Sequence, residues 1–135
     1  MKVVCVKSKA SADQVPWSAD REYVDYSITP GKSYIVYGIG IDKGFLQYLI
    51  CAEDYTYYPL FVPASMFDAP EGSLPAGLEM TNYGNIEGVC EDSVLSLSAF
   101  RTNPYFYDQL TDGDDEDVLR IWNEFKAKVE AYEEG

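Results

Sequence analysis

The sequence predicts a single α+β domain. It is a strongly bent antiparallel β-sheet or small barrel, extended by extra strands and closed by a C-terminal amphipathic helix. Three observations carry this expectation. Residues 33–62 read as successive antiparallel strands, with apolar alternation broken by turn residues. Gly38 and Gly40 fall inside the first of these strands, where glycines mark the bends that small barrels need at corners. Val118, Trp122, Phe125, Val129 and Tyr132 recur at spacings of 4, 3, 4 and 3, which is one face of a helix. At 135 residues and 47% apolar content the chain is able to fold, but it is too short for two full cores.

Taken in order, residues 3–6 form a short β-branched run that reads as a first strand. Residues 8–21 lack periodicity and read as a long loop, with Trp17 available to pin it to the body. Thr29-Pro30-Gly31-Lys32 is a turn, because proline presets φ at its second position and glycine tolerates positive φ at its third. Residues 33–41 follow as one strand, with Ile35, Tyr37, Ile39 and Ile41 on one face and Tyr34 and Val36 on the other. Asp42-Lys43-Gly44 makes a tight hairpin, and residues 45–52 return as a second strand. Residues 56–62 form a third strand, confined to an edge or kinked because Pro59 has no N–H to give the ladder. Residues 63–67 make a single helical turn. The Gly- and Pro-rich stretch 68–93 holds extended pieces near 78–83 and 86–89, and residues 94–100 form a further strand. Residues 103–110 are a short aromatic helix or turn. The final helix runs over about 115–133, with Asp114 to Asp117 at its start, where carboxylates cap free amides and suit the macrodipole. Residues 1–68 thus form the barrel portion, 69–110 the added strands and loops, and 114–133 the helix.

Charge is laid out unevenly. The chain carries 10 Lys and Arg against 23 Asp and Glu, a formal charge of -13. Residues 1–49 hold a net +1, while residues 50–135 hold -14. Between Lys43 and Arg101 there are eight acids and no base. Such a field speeds encounter with a cationic partner and repels phosphates, so direct nucleic-acid binding is not expected. An acidic surface that serves solubility alone is the plain alternative.

The absence of histidine removes the Ser-His-Asp triad, the Cys-His dyad and His-liganded zinc. Cys5, Cys51 and Cys90 are odd in number and widely spaced, so no disulfide framework or CxxC site is readable. Cys5 and Cys51 lie in apolar runs, where buried, inert thiols are expected. No run approaches a membrane span and no signal peptide is evident, so a reduced, soluble, cytoplasmic protein is expected. Gly38-Ile39-Gly40 lacks the rest of a phosphate-loop pattern. No catalytic residue, cofactor or metal is assigned, and the chain is not expected to be an enzyme.

Two clusters are candidates for partner binding. One is Glu53-Asp54-Tyr55-Thr56-Tyr57-Tyr58, where tyrosines bring area at low entropic cost and acids bring charge complementarity. Glu53, Asp54, Tyr55 and Tyr57 are its candidate contacts. The other is Asp112-Gly113-Asp114-Asp115-Glu116-Asp117, with Asp112, Asp114 and Asp115 as candidates. A calcium loop starting at Asp112 would need Gly at its sixth position and Glu at its twelfth. Those positions hold Asp117 and Asn123, so the match fails. Helix capping accounts for the same acids and is compatible with their facing a partner. Tyr105, Phe106 and Tyr107 form a third aromatic group, expected to pack inward.

Residues 1–68 resemble a pattern found in small bacterial and phage proteins with an SH3-like barrel. The resemblance rests on three pieces: Met1-Lys2-Val3-Val4-Cys5-Val6; Ile28-Thr29-Pro30-Gly31-Lys32-Ser33-Tyr34-Ile35-Val36; and Tyr58 to Val62 leading into Pro63-Ala64-Ser65-Met66-Phe67-Asp68. It implies an SH3-like barrel for this half. Longer members with an acidic C-terminal helix resemble immunity proteins of bacterial toxin systems. The chain departs from the short members in residues 8–21 and after residue 68, where a specific role would reside. The expectation is a non-catalytic acidic protein-binding module, most concretely an immunity protein that occludes a basic toxin domain such as a nuclease. A phage-encoded mimic of nucleic-acid charge and a small enzyme or metabolite-binding barrel are the alternatives.

Overall fold

The computed structural model describes residues 1–15, 23–53, 58–84, 86–89 and 91–134. Its strands are β1 (Lys2–Val4), β2 (Lys9–Ser11), β3 (Tyr23–Asp25), β4 (Ser33–Ile35), β5 (Gly38–Asp42), β6 (Phe45–Ile50), β7 (Leu60–Pro63), β8 (Glu79–Asn82) and β9 (Ser93–Ser96). Its helices are α1 (Ala99–Thr102), α2 (Phe106–Asp112) and α3 (Glu116–Glu134). β7-β6-β5-β9-β8 form one antiparallel sheet, while β1 pairs with β4 and β2 with β3 in two separate ladders. The fold is therefore α+β with a C-terminal helix. Among the described residues the strands do not close into a barrel.

The five-stranded sheet buries residues on both faces. Tyr48, Ile50 and Val62 point to one side and join Val3, Tyr34 and Met66 in a first core beneath the small strand pairs. Leu49 and Val94 point to the other and join Phe100, Phe106, Leu110 and Trp122 in a second core beneath the helices. Alternation with period two sends neighbouring side chains of β6 to opposite cores.

The expected strand over 33–41 divides in two. It breaks at Val36–Tyr37, so β4 serves the β1 ladder and β5 enters the main sheet. The break changes which side chains share a face. Ile35 and Tyr37 pack with the helices, Ile39 packs in the first core, and Ile41 is exposed. The glycines answer to close packing. A Cβ on Gly38 would sit 2.8 Å from the Leu95 carbonyl oxygen, and one on Gly40 2.7 Å from the Phe61 ring. Gly44 (φ 85°) and Lys43 (φ 49°) close the β5–β6 hairpin as the sequence predicts.

Other segments differ from expectation for local reasons. Part of the supposed loop at 8–21 is β2 and a 3-10 turn over Ala12–Gln14, anchored by the fully buried Ala10. Three-residue strands are too short to show periodicity. Trp17 lies outside the described residues. β7 begins only after Pro59 and occupies the sheet edge, where a missing N–H breaks no ladder. Residues 86–89 turn, with Val89 N–H donating to Ile86 O (3.2 Å), and are not extended. The strand expected over 94–100 ends at Ser96, and α1 carries Phe100 into the second core. The helical turn at 63–67 is present as a 3-10 turn over Ala64–Met66. α3 packs Val118, Trp122 and Val129 inward, and the Trp122 and Tyr37 rings meet edge to face at 5.4 Å. No described helix is long and apolar enough to cross a membrane.

Candidate functional site

The structure places Asp112, Asp114 and Asp115 together where α2 hands over to α3. Gly113 ends α2 in the left-handed conformation (φ 76°) that lets the chain reverse within three residues. Asp115 caps α3: its Oδ1 accepts from the N–H groups of Asp117 (3.0 Å) and Val118 (3.1 Å). Asp112, Asp114, Asp115, Glu116 and Asp117, with Gln109, line a shallow depression of about 530 Å³. Asp117 meets Arg120 at 3.4 Å. Among the described residues Asp112, Asp114 and Glu116 form no ion pair.

Glu53 belongs elsewhere. It accepts hydrogen bonds from Thr29 Oγ1 (3.0 Å) and the Tyr34 hydroxyl, and pairs with Lys32 at 3.2 Å. Burial would raise its carboxyl, but the Tyr34 hydroxyl, its own backbone N–H, Lys32 and Thr29 hold it below its ordinary value. This carboxylate braces the Thr29–Lys32 turn against the β4 strand. Asp54, Tyr55 and Tyr57 lie outside the described residues. Of the third aromatic group, Phe106 is buried, Tyr107 half-buried and Tyr105 exposed.

A second acidic region was not read from the sequence. Glu91, just before β9, lines a pocket of about 120 Å³ with Phe61, Tyr83, Phe100, Tyr107 and Asp108. Burial raises the Glu91 carboxyl from 4.5 to about 7, with further pressure from Asp42, Asp92 and Asp108. Asp42 is raised by burial and then by Asp92, and Asp108 by burial and then by Asp112. The buried oxygens Glu91 Oε2 and Asp42 Oδ1 accept no hydrogen bond among the described residues. Charge repulsion thus runs from Asp42 through Asp92, Glu91 and Asp108 to Asp112, which opens onto the depression at α3. The only sequence signal for this was Asp108 and Asp112 at helical i,i+4 spacing. Glu91 sits seventeen residues upstream, in a stretch that reads as turns.

Both described cysteines are poor nucleophiles. Burial pushes the Cys51 thiol up to about 11, with Lys126 opposing and Glu130 adding, and burial likewise raises Cys5. Among the described residues no group of three or more His, Cys, Asp or Glu is placed to hold a metal ion. No protein-family model matches the chain, and neither curated proteins nor solved structures yield a match.

Proposed function

We propose that this protein is a non-catalytic acidic binding module, an immunity protein that occludes a basic toxin domain. The observation that carries the reading is the run of carboxylates from Asp42 through Asp92, Glu91 and Asp108 to the acidic face at Asp112–Asp117, in which carboxylates outnumber the neighbouring cations Lys43 and Arg120. Like charges held close raise the free energy of the unbound protein, and a cationic partner relieves that repulsion on docking. Asp112, Asp114 and Asp115 supply the exposed end of this run, and the sequence resemblance of residues 1–68 to small SH3-like proteins, whose longer members with an acidic C-terminal helix resemble immunity proteins, supports the same role. Electrostatic attraction would accelerate association, and aromatic contacts would govern dissociation.

Affinity capture from a host lysate at low and high salt tests the reading. A single stoichiometric basic partner that survives high salt is the expected result. Association kinetics with that partner then compare the wild type with the Asp112→Asn, Asp114→Asn, Asp115→Asn triple variant. Asn caps helices as well as Asp does, so α3 is retained. Association should slow by about tenfold at low salt and converge with wild type at high salt. An unchanged on-rate would remove this patch from the interface.

A further inference from the structure

We infer that the pocket beneath α2 is a receptor for one lysine or arginine side chain of a basic protein partner. The inference rests on the binding role proposed above and gives that role a specific anchor. Four aromatic residues, Phe61, Tyr83, Phe100 and Tyr107, line the pocket, and the Phe61 ring lies 5.1 Å from Tyr107 and 6.5 Å from Phe100. Aromatic walls hold organic cations through the negative faces of their rings and shelter the aliphatic stem of the side chain. Glu91 and Asp108 supply the carboxylates, and Glu91 Oε2 is a buried acceptor with no donor among the described residues. An acceptor in that state costs free energy that an ammonium or guanidinium N–H would recover.

Size and position select the occupant. About 120 Å³ admits the end of one side chain and is well below the size of a usual metabolite pocket. The carboxylate chain continues from Asp108 to Asp112 and the depression at α3, so a protein docked on that face would present its own side chains at the pocket. Burial holds the Glu91 proton until about pH 7, so cation binding should strengthen as the pH rises through that value. The described groups facing Glu91 are Asp42, Asp92 and Asp108, which add to the same trend, and the Tyr83 and Tyr107 hydroxyls, which burial keeps protonated in this range.

The test is an NMR titration of the whole chain with N-acetyl-arginine methylamide and N-acetyl-lysine methylamide, using N-acetyl-norleucine methylamide as the uncharged control. The expected result is saturable shifts at the Tyr83, Phe100 and Tyr107 rings with the two cations alone. Affinity should rise at least threefold between pH 6 and pH 8 and fall at least tenfold in Glu91→Gln at the higher pH. Tyr107→Leu, checked for folding by its amide spectrum, should weaken binding while leaving Glu91 in place. Absent or non-saturable shifts, equal binding of norleucine, or an unaffected Glu91→Gln would each overturn the inference. The Asp112→Asn, Asp114→Asn, Asp115→Asn variant should keep this pocket binding. A failure of the pocket therefore shows separately from a failure of the acidic face.

Discussion

Replacing Glu91 by Gln should stabilise the protein increasingly as the pH rises above about 4.5, with the gain close to complete at about pH 7 and above. Folded Glu91 keeps its proton to about 7, because burial and the charges of Asp42, Asp92 and Asp108 disfavour the carboxylate, whereas the unfolded chain releases it near 4.5. Between those values the folded state binds more protons than the unfolded one. The stability that this group contributes is fully present below pH 4.5 and is lost as the pH rises through 7. At about 1.4 kcal/mol per pH unit, the displacement corresponds to an upper limit of about 3.5 kcal/mol. Partial exposure screens some of it, so a gain of about 1.5–3 kcal/mol is expected for Glu91→Gln at about pH 8.5. At about pH 3.5 the variant and wild type should be equal, or the variant slightly weaker, because Glu91 is then neutral in both the folded and the unfolded chain. Urea denaturation at both pH values, with equal m-values, reads the difference directly. A stability difference that stays constant across the range would refute the crowding of carboxylates around Glu91.

Three further outcomes test other parts of the structure. Asp115→Ala should destabilise by about 1 kcal/mol while Asp115→Asn stays near wild type, which thermal denaturation would show, because only the alanine leaves the first amides of α3 uncapped. Gly38→Ala should cost about 1–3 kcal/mol in denaturant, since the new Cβ meets a backbone oxygen that has no room to yield. Trp122→Ala, which empties the centre of the helix-side core, should cost about 3–5 kcal/mol by the same measurement.

Much of the framework was legible because local chemistry enforces it. The Gly44 hairpin, the Thr29–Lys32 turn and the amphipathic face of α3 each follow from a residue type at a fixed spacing, and the structure carries all three, except that Tyr132 at the end of the helix face is exposed. Pro59 announced an edge strand, and β7 is one. The same local signals misled where tertiary packing intervened. Alternation from Tyr34 to Ile41 suggested one strand, yet the break at Val36–Tyr37 moves Ile39 to the opposite core. Val94 to Phe100 alternates as a strand does, but Phe100 reaches the core only through a helical turn.

The acidic cluster at residues 112–117 was visible because its members are neighbours in sequence, and helix capping holds them at one end of α3. The Glu53 carboxylate was equally visible, but its partners Thr29, Lys32 and Tyr34 are contributed by a distant turn and strand, and only folding shows that they occupy it. Glu91 carried no signal at all. Its raised carboxyl arises from burial among Phe61, Tyr83 and Tyr107 and from the charges of Asp42 on β5, Asp92 just before β9 and Asp108 on α2, which are brought together only by the tertiary structure. Composition and periodicity thus determined the class of fold and the sign of its field. Which carboxylates are sequestered, which are crowded and which are free was decided by long-range packing, because burial and Coulomb energy depend on distances in space.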